Sequence, residues 1–112
     1  MKAPRLNRRL TLEAPQRVAD GAGGFSESWV ALGEMWAEVA PRTGRERSVG
    51  GTALSSVAHR ITVRAAPVGA PSRPEVNQRF REGSRLFLIE AVVERDPDGR
   101  FLTCFAQEET VA

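Results

Sequence analysis

The chain is poor in the residues that most often carry chemistry. Its 112 residues include one cysteine (Cys104), one histidine (His59), one lysine (Lys2) and no tyrosine. A lone cysteine closes no internal disulfide, so stability has to come from the core and from partners. One histidine and one cysteine fall short of an ordinary zinc ligand set. His59 sits in an alternating run beside Arg60, where a hydrogen-bonded strand histidine is expected rather than a general base. There is no GxxxxGKS or GxxxxGKT phosphate loop and no GxGxxG fingerprint. Gly21-Ala22-Gly23-Gly24 falls between two extended runs and does not lead into a helix, so it reads as turn chemistry. Asp96 and Asp98 flank Pro97 in a short turn that offers too few ligands for calcium. No apolar run approaches the ~20 residues that span a bilayer, and the basic N-terminus has no apolar h-region of a secretory signal. The expectation is a protein without catalytic residues, metal, cofactor or membrane partner.

What is present fits one soluble domain over residues 1–112, with an apolar fraction of 41% and a charged fraction of 27%. A chain of this size buries roughly two-thirds of its unfolded surface, enough for one modest core. The net charge is only +2, but it is unevenly spread. The first ten residues carry Lys2, Arg5, Arg8 and Arg9 and no acid. The last stretch carries Glu90, Glu94, Asp96, Asp98, Glu108 and Glu109 against Arg95 and Arg100. Opposed poles suit the head-to-tail contacts that close rings, and equally suit two solvated surfaces.

Periodicity and turn residues predict short strands. Leu6, Arg8, Leu10 and Leu12 alternate with Asn7, Arg9, Thr11 and Glu13, and Pro15 is expected to end this first strand. A second run spans residues 28–40, with a bulge or bend at Gly33 and an end at Pro41. There Met35, Ala37 and Val39 share one face, and Trp36 and Glu38 the other. A short helix over 27–39 is the competing reading, because Trp29, Leu32 and Trp36 are also helically spaced. A third strand over 57–66 puts Val57, His59, Ile61 and Val63 on one face. Phe80 opens a short strand that turns at Glu82-Gly83-Ser84. Leu86 to Val93 is almost wholly apolar and predicts a central strand covered on both faces. Asp96-Pro97-Asp98-Gly99 predicts a hairpin into a last strand over 101–107. The fold class is therefore all-β: a small antiparallel barrel or sandwich of five to six strands, whose closure would remove exposed edges.

Residues 42–56 are rich in Gly, Ser, Thr and Arg, with Val49 and Leu54 their only large apolar residues. They predict one long loop, and loops of this length in compact domains are usually functional or disordered. Arg42, Arg45, Glu46, Arg47, Val49, Gly50, Gly51 and Leu54 are thus candidates for partner contact or channel gating, ordering on assembly. Trp29, Trp36, Phe80, Phe87, Phe101 and Phe105 are expected to supply most of the buried aromatic area, with one side of Trp36 available to a subunit interface.

Several landmarks, in order, resemble the phage head–tail joining family, also called head closure or stopper proteins, which includes neck proteins of phage-like gene transfer agents. They are Leu6-Asn7-Arg8-Arg9-Leu10-Thr11-Leu12; the glycine turn with Gly23 and Gly24, followed by Trp29; Trp36-Ala37-Glu38-Val39-Ala40-Pro41 with Gly44-Arg45-Glu46; His59-Arg60-Ile61-Thr62-Val63-Arg64; and Phe80, Gly83, Arg85, Phe87 and Ile89. The proline-rich loop from Pro67 to Pro74 departs from that pattern. The resemblance implies a non-enzymatic β-barrel assembled in the bacterial cytoplasm into the neck of a virion or phage-like particle. It implies a homo-oligomeric ring of about six or about twelve copies, below a portal-adaptor ring and above a tail terminator or tail tube. Arg8, Arg9, Arg60 and Arg64 are possible channel-facing residues, expected to touch passing DNA weakly and without sequence preference. The rival readings are an OB-like nucleic-acid-binding barrel, suggested by the pI near 9.5, and another neck or tail component such as an adaptor or tail terminator. No strand shows the alternating aromatics that a base-stacking platform requires.

Overall fold

The turn residues do much to set the topology. Asp20 accepts hydrogen bonds from the Ala22 and Gly24 amides (2.8 and 3.1 Å) and folds the first hairpin. Gly83 at φ +60° permits the two-residue turn that pairs Glu82 with Arg85. Asp96 accepts from the Arg100 and Phe101 amides and shapes the last hairpin. The computed structural model describes residues 2–49 and 52–109, and only the backbone of 43–49 and 52–56. Among these residues the chain forms β1 (Arg8–Ala19), β2 (Phe25–Val49), β3 (Thr52–Arg64), β4 (Arg79–Glu82), β5 (Arg85–Glu94) and β6 (Phe101–Glu109), with no helix. Two antiparallel meanders, β1–β2–β3 and β4–β5–β6, join through β3·β6 and β1·β4 into a closed barrel.

The all-β expectation holds, and the competing helix over 27–39 is strand. The expected irregularity at Gly33 is a bulge: Leu12 pairs with Gly33 and Glu13 with Ala31, leaving Leu32 extra. Several boundaries differ. Pro15 and Pro41 do not end their strands. Pro15 pairs with Trp29 and Pro41 with His59, each where its strand has lost its neighbour on the other side. A proline without an N–H is tolerated on such an edge. The first strand begins at Arg8, not Leu6. The residues before it run across the outside of the barrel, tied by the Arg5 amide to Glu38 (2.8 Å) and by Arg95 to the Lys2 carbonyl (2.8 Å).

The expected long loop is a second correction. The backbone of 43–49 pairs with that of 52–58, so the stretch is a two-stranded ribbon. Its low apolar content hides the strands, because a ribbon outside the barrel has no core to face. Gly50 and Gly51 lie outside the described residues, as do the side chains of Gly44–Leu54.

Leu10, Leu12, Ile61, Val63, Phe80, Phe87, Ile89, Leu102 and Cys104 fill the barrel, each 1% exposed or less. Of the six aromatics expected in the core, only Phe80 and Phe87 are there. Trp29, Phe101 and Phe105 are half-buried, and Trp36 is 55% exposed. Nor is β5 covered on both faces: Leu88 and Val93 are 37% and 46% exposed, because a closed barrel offers each strand one inner face only. Burial pushes the Cys104 thiol up to about 12. In the native protein it should resist a thiol reagent at pH 8 and react at the rate of unfolding, while prompt labelling without denaturant would contradict its placement.

Candidate assembly surfaces

No described residues form a catalytic constellation, and none of the described His, Cys, Asp and Glu side chains cluster as a metal site. The side chains that carry interaction chemistry are on the ends and the outside of the barrel.

One end is closed by a chain of ion pairs through five strands. Arg8 on β1 donates to Glu82 on β4 (Nε 2.7 Å). Arg85 on β5 lies 3.8 Å from Glu82 and donates twice to Glu108 on β6 (2.7 and 2.9 Å). Glu108 lies 3.7 Å from His59 Nε2 on β3. His59 is buried, bonded through Nδ1 to the Val57 carbonyl (3.1 Å), and meets the edge of Phe87 at 5.2 Å. This is the satisfied strand histidine that its sequence setting implies.

The second cluster stands where the β1–β2 hairpin leaves the barrel. Glu13, 6% exposed, accepts from Arg79 Nε (2.7 Å) and Arg81 Nε (2.9 Å). The Arg79 guanidinium also lies 4.0 Å from the centre of the Trp29 ring. Burial alone would raise the Glu13 carboxyl, but the two guanidinium bonds outweigh it and hold it below the usual range. The bond from Arg8 lowers Glu82, and that from Arg85 lowers Glu108. A carboxyl depressed on folding stabilises the protein above its unfolded value, near 4.5, and loses that contribution as pH falls through the folded value. The denaturation midpoint should therefore drop between pH 5 and pH 3, and by less in Glu82→Gln. An equal drop in both proteins would remove Glu82 from the account.

The four arginines read as possible channel-facing residues are not brought together. Arg8 is spent on Glu82 and Arg9 on Glu34 (2.6 Å). Arg60 and Arg64 are exposed on the outer face of β3 and make no ion pair among the described residues, and Arg64 lies 6.0 Å from the Phe101 ring centre. Of the other marked positions, Gly23 and Gly24 shape the first turn. Ala37, Phe80, Phe87 and Ile89 are core, and Trp36 stands on the outer face of β2. Gly44, Arg45, Glu46, Arg47 and Val49 lie on the β2 arm of the second ribbon, Leu54 on its β3 arm, and Arg42 at its base, 4.8 Å from the Phe105 ring centre. Sequence reading missed Glu13, Arg79, Arg81, Glu82 and Glu108. The available signal was Arg79 and Arg81 alternating about Phe80, and Glu13 on the polar face of β1.

With this geometry in view, the chain matches the phage head completion protein family over residues 1–109. The chain belongs to that family. It is 58% identical, at a TM-score of 0.87, to a chain in the virion of the native gene transfer agent particle, covering 98% of this chain and 100% of that one. It also shares its fold with a Shigella flexneri 2a protein solved in solution, at 21% identity and a TM-score of 0.67 over 96% of both chains. No curated protein matches it. Head completion proteins are structural, and the outward clusters of this one are ion pairs and stacked arginines, the materials of contact rather than of catalysis.

Proposed function

We propose that this chain is a structural, non-enzymatic neck protein of a tailed phage or phage-like particle. Copies assemble in the bacterial cytoplasm into a ring beneath the portal and its adaptor, close the DNA exit after packaging, and present the surface on which the tail terminator and tail dock. The observation that carries this reading is the 58% identity, over nearly the full length of both chains, to a component of a gene transfer agent virion. A particle-forming chain needs surfaces its own core does not use, and two ribbons extend from this barrel, one over 14–31 and one over 43–56. The second ribbon is the partner-contact or gating element, and Arg60 and Arg64 are the residues left to meet passing DNA, weakly and in a salt-dependent way.

The experiment is electron microscopy of particles from a strain lacking the gene. Filled or leaking heads beside unattached tails are expected. Normally tailed, transducing particles would refute the neck assignment and return attention to nucleic-acid binding by an OB-like barrel.

A further inference from the structure

The β1–β2 ribbon is built as though a further surface should lie against it. Beyond Glu13, β1 has no partner on its β4 side, because β4 reaches only Thr11 to Glu13. Before Ala37, β2 does not pair with β3, and no other described backbone bonds to it from Phe25 to Ala31. Residues 14–19 and 25–31 therefore form a two-stranded ribbon held only by each other, an arrangement that is marginally stable in water by itself. Pro15, with no N–H to offer, blunts the β1 edge, whereas the β2 edge has no proline and stays open to another surface. The tip is apolar where a solvated hairpin would be polar. Phe25 is 62% exposed and Val18 44%, and the Arg17 guanidinium lies 4.5 Å from the Phe25 ring centre.

A matching surface lies on the other side of the same molecule. In the closed order β1-β2-β3-β6-β5-β4, β5 is three strands from β2. Its outer face exposes Leu88 and Val93, and the exposed Glu90 and Glu94 flank them without an ion pair among the described residues. The ribbon offers an aromatic side chain beside a cation; the strip offers aliphatic side chains beside two anions. Two complementary surfaces on opposite sides of one chain make a head-to-tail contact, the kind that repeats around a closed ring.

We propose that the tip of the β1–β2 ribbon docks on the outer face of β5 in a second copy of this chain, with Phe25 and Val18 against Leu88 and Val93 and Arg17 beside Glu90 and Glu94. This rests on the ring assembly above and names the surfaces that build it. The contact needs no change in either barrel, because all of these side chains already point outward.

The test is cysteine cross-linking in assembled particles that carry Ala19→Cys and Val93→Cys together. Ala19 pairs with Phe25 at the tip, so the substitution leaves the aromatic side chain in place. Cys104, buried in the core, contributes no background. A short bismaleimide should give a ladder of covalent multimers of this chain in the double variant and none in either single variant. Particles that contain the double variant but yield only monomer, or an adduct of Ala19→Cys with a different chain, would overturn the proposal. A charge exchange reads the same contact independently. Arg17→Glu should cut incorporation into particles at least several-fold, and adding Glu94→Arg should restore most of it; equal loss in both overturns the contact. Free tails in the deletion strain report on the neck assignment separately, so failure of the ribbon contact is distinguishable from failure of that reading.

Discussion

Phe87→Ala is expected to cost about 3–5 kcal/mol of folding free energy, the range for deleting a fully buried aromatic side chain. Phe87 is completely buried and pairs across β4 and β5 with Phe80, which is also completely buried. Its ring faces the edge of His59, and the Arg85 guanidinium sits 5.1 Å from the ring centre. Removing it leaves a cavity between these strands and withdraws the surface that positions His59 and Arg85, two members of the ion-pair chain that closes the barrel end. Domains of this size are stable by only about 5–15 kcal/mol. The variant should then show a large fall in denaturation midpoint and promptly reactive Cys104. Trp36→Ala, at a side chain 55% exposed, should cost about 1 kcal/mol. If the two substitutions cost the same, the division of aromatics between core and surface is wrong.

That contrast shows where sequence reading succeeds and where it stops. Turns are legible because their chemistry is local. Asp20 with the following glycines, Gly83 after Glu82, and Asp96 to Gly99 each specify a hairpin through bonds and dihedrals within a few residues. The bulge at Gly33 is legible for the same reason. Strand ends at Pro15 and Pro41 were misplaced because proline is excluded only where its N–H is needed. Whether a strand has a neighbour at that point depends on residues far away. The same limit applies to β5: an apolar run reads as doubly buried, whereas here its outer face is left bare. The six aromatics look alike in sequence, yet arginines stack on several of the outer ones, Arg79 on Trp29 and Arg42 on Phe105. The ion-pair clusters depend most on topology. Glu13 meets Arg79 and Arg81 across separations of 66 and 68 residues, and only barrel closure through β1·β4 brings them together.

Glu13→Ala tests that closure most directly. Glu13 satisfies two guanidinium groups at once, and hydrogen bonds to charged groups contribute about 1.5–3 kcal/mol each when removed from a buried setting. Arg81 is 42% exposed and Arg79 20%, so both can turn to water, which places the expected total loss at the low end of that range. The loss should not be evenly spread. Arg79 is held between the Glu13 carboxylate and the Trp29 ring, and Trp29 belongs to the ribbon. Without the carboxylate the guanidinium loses the bond that aims it at the ring, and the ribbon loses its anchor to β4. Amide exchange over 14–31 should rise more than tenfold, while Ile61, Leu102 and Cys104 in the core keep the protection set by global unfolding. Exchange that rises uniformly along the chain would make Glu13 an ordinary stabilising residue. A rise confined to the ribbon would mean that Glu13, Arg79 and Trp29 hold this arm at a fixed angle to the barrel, which a contact repeated from copy to copy around a ring requires.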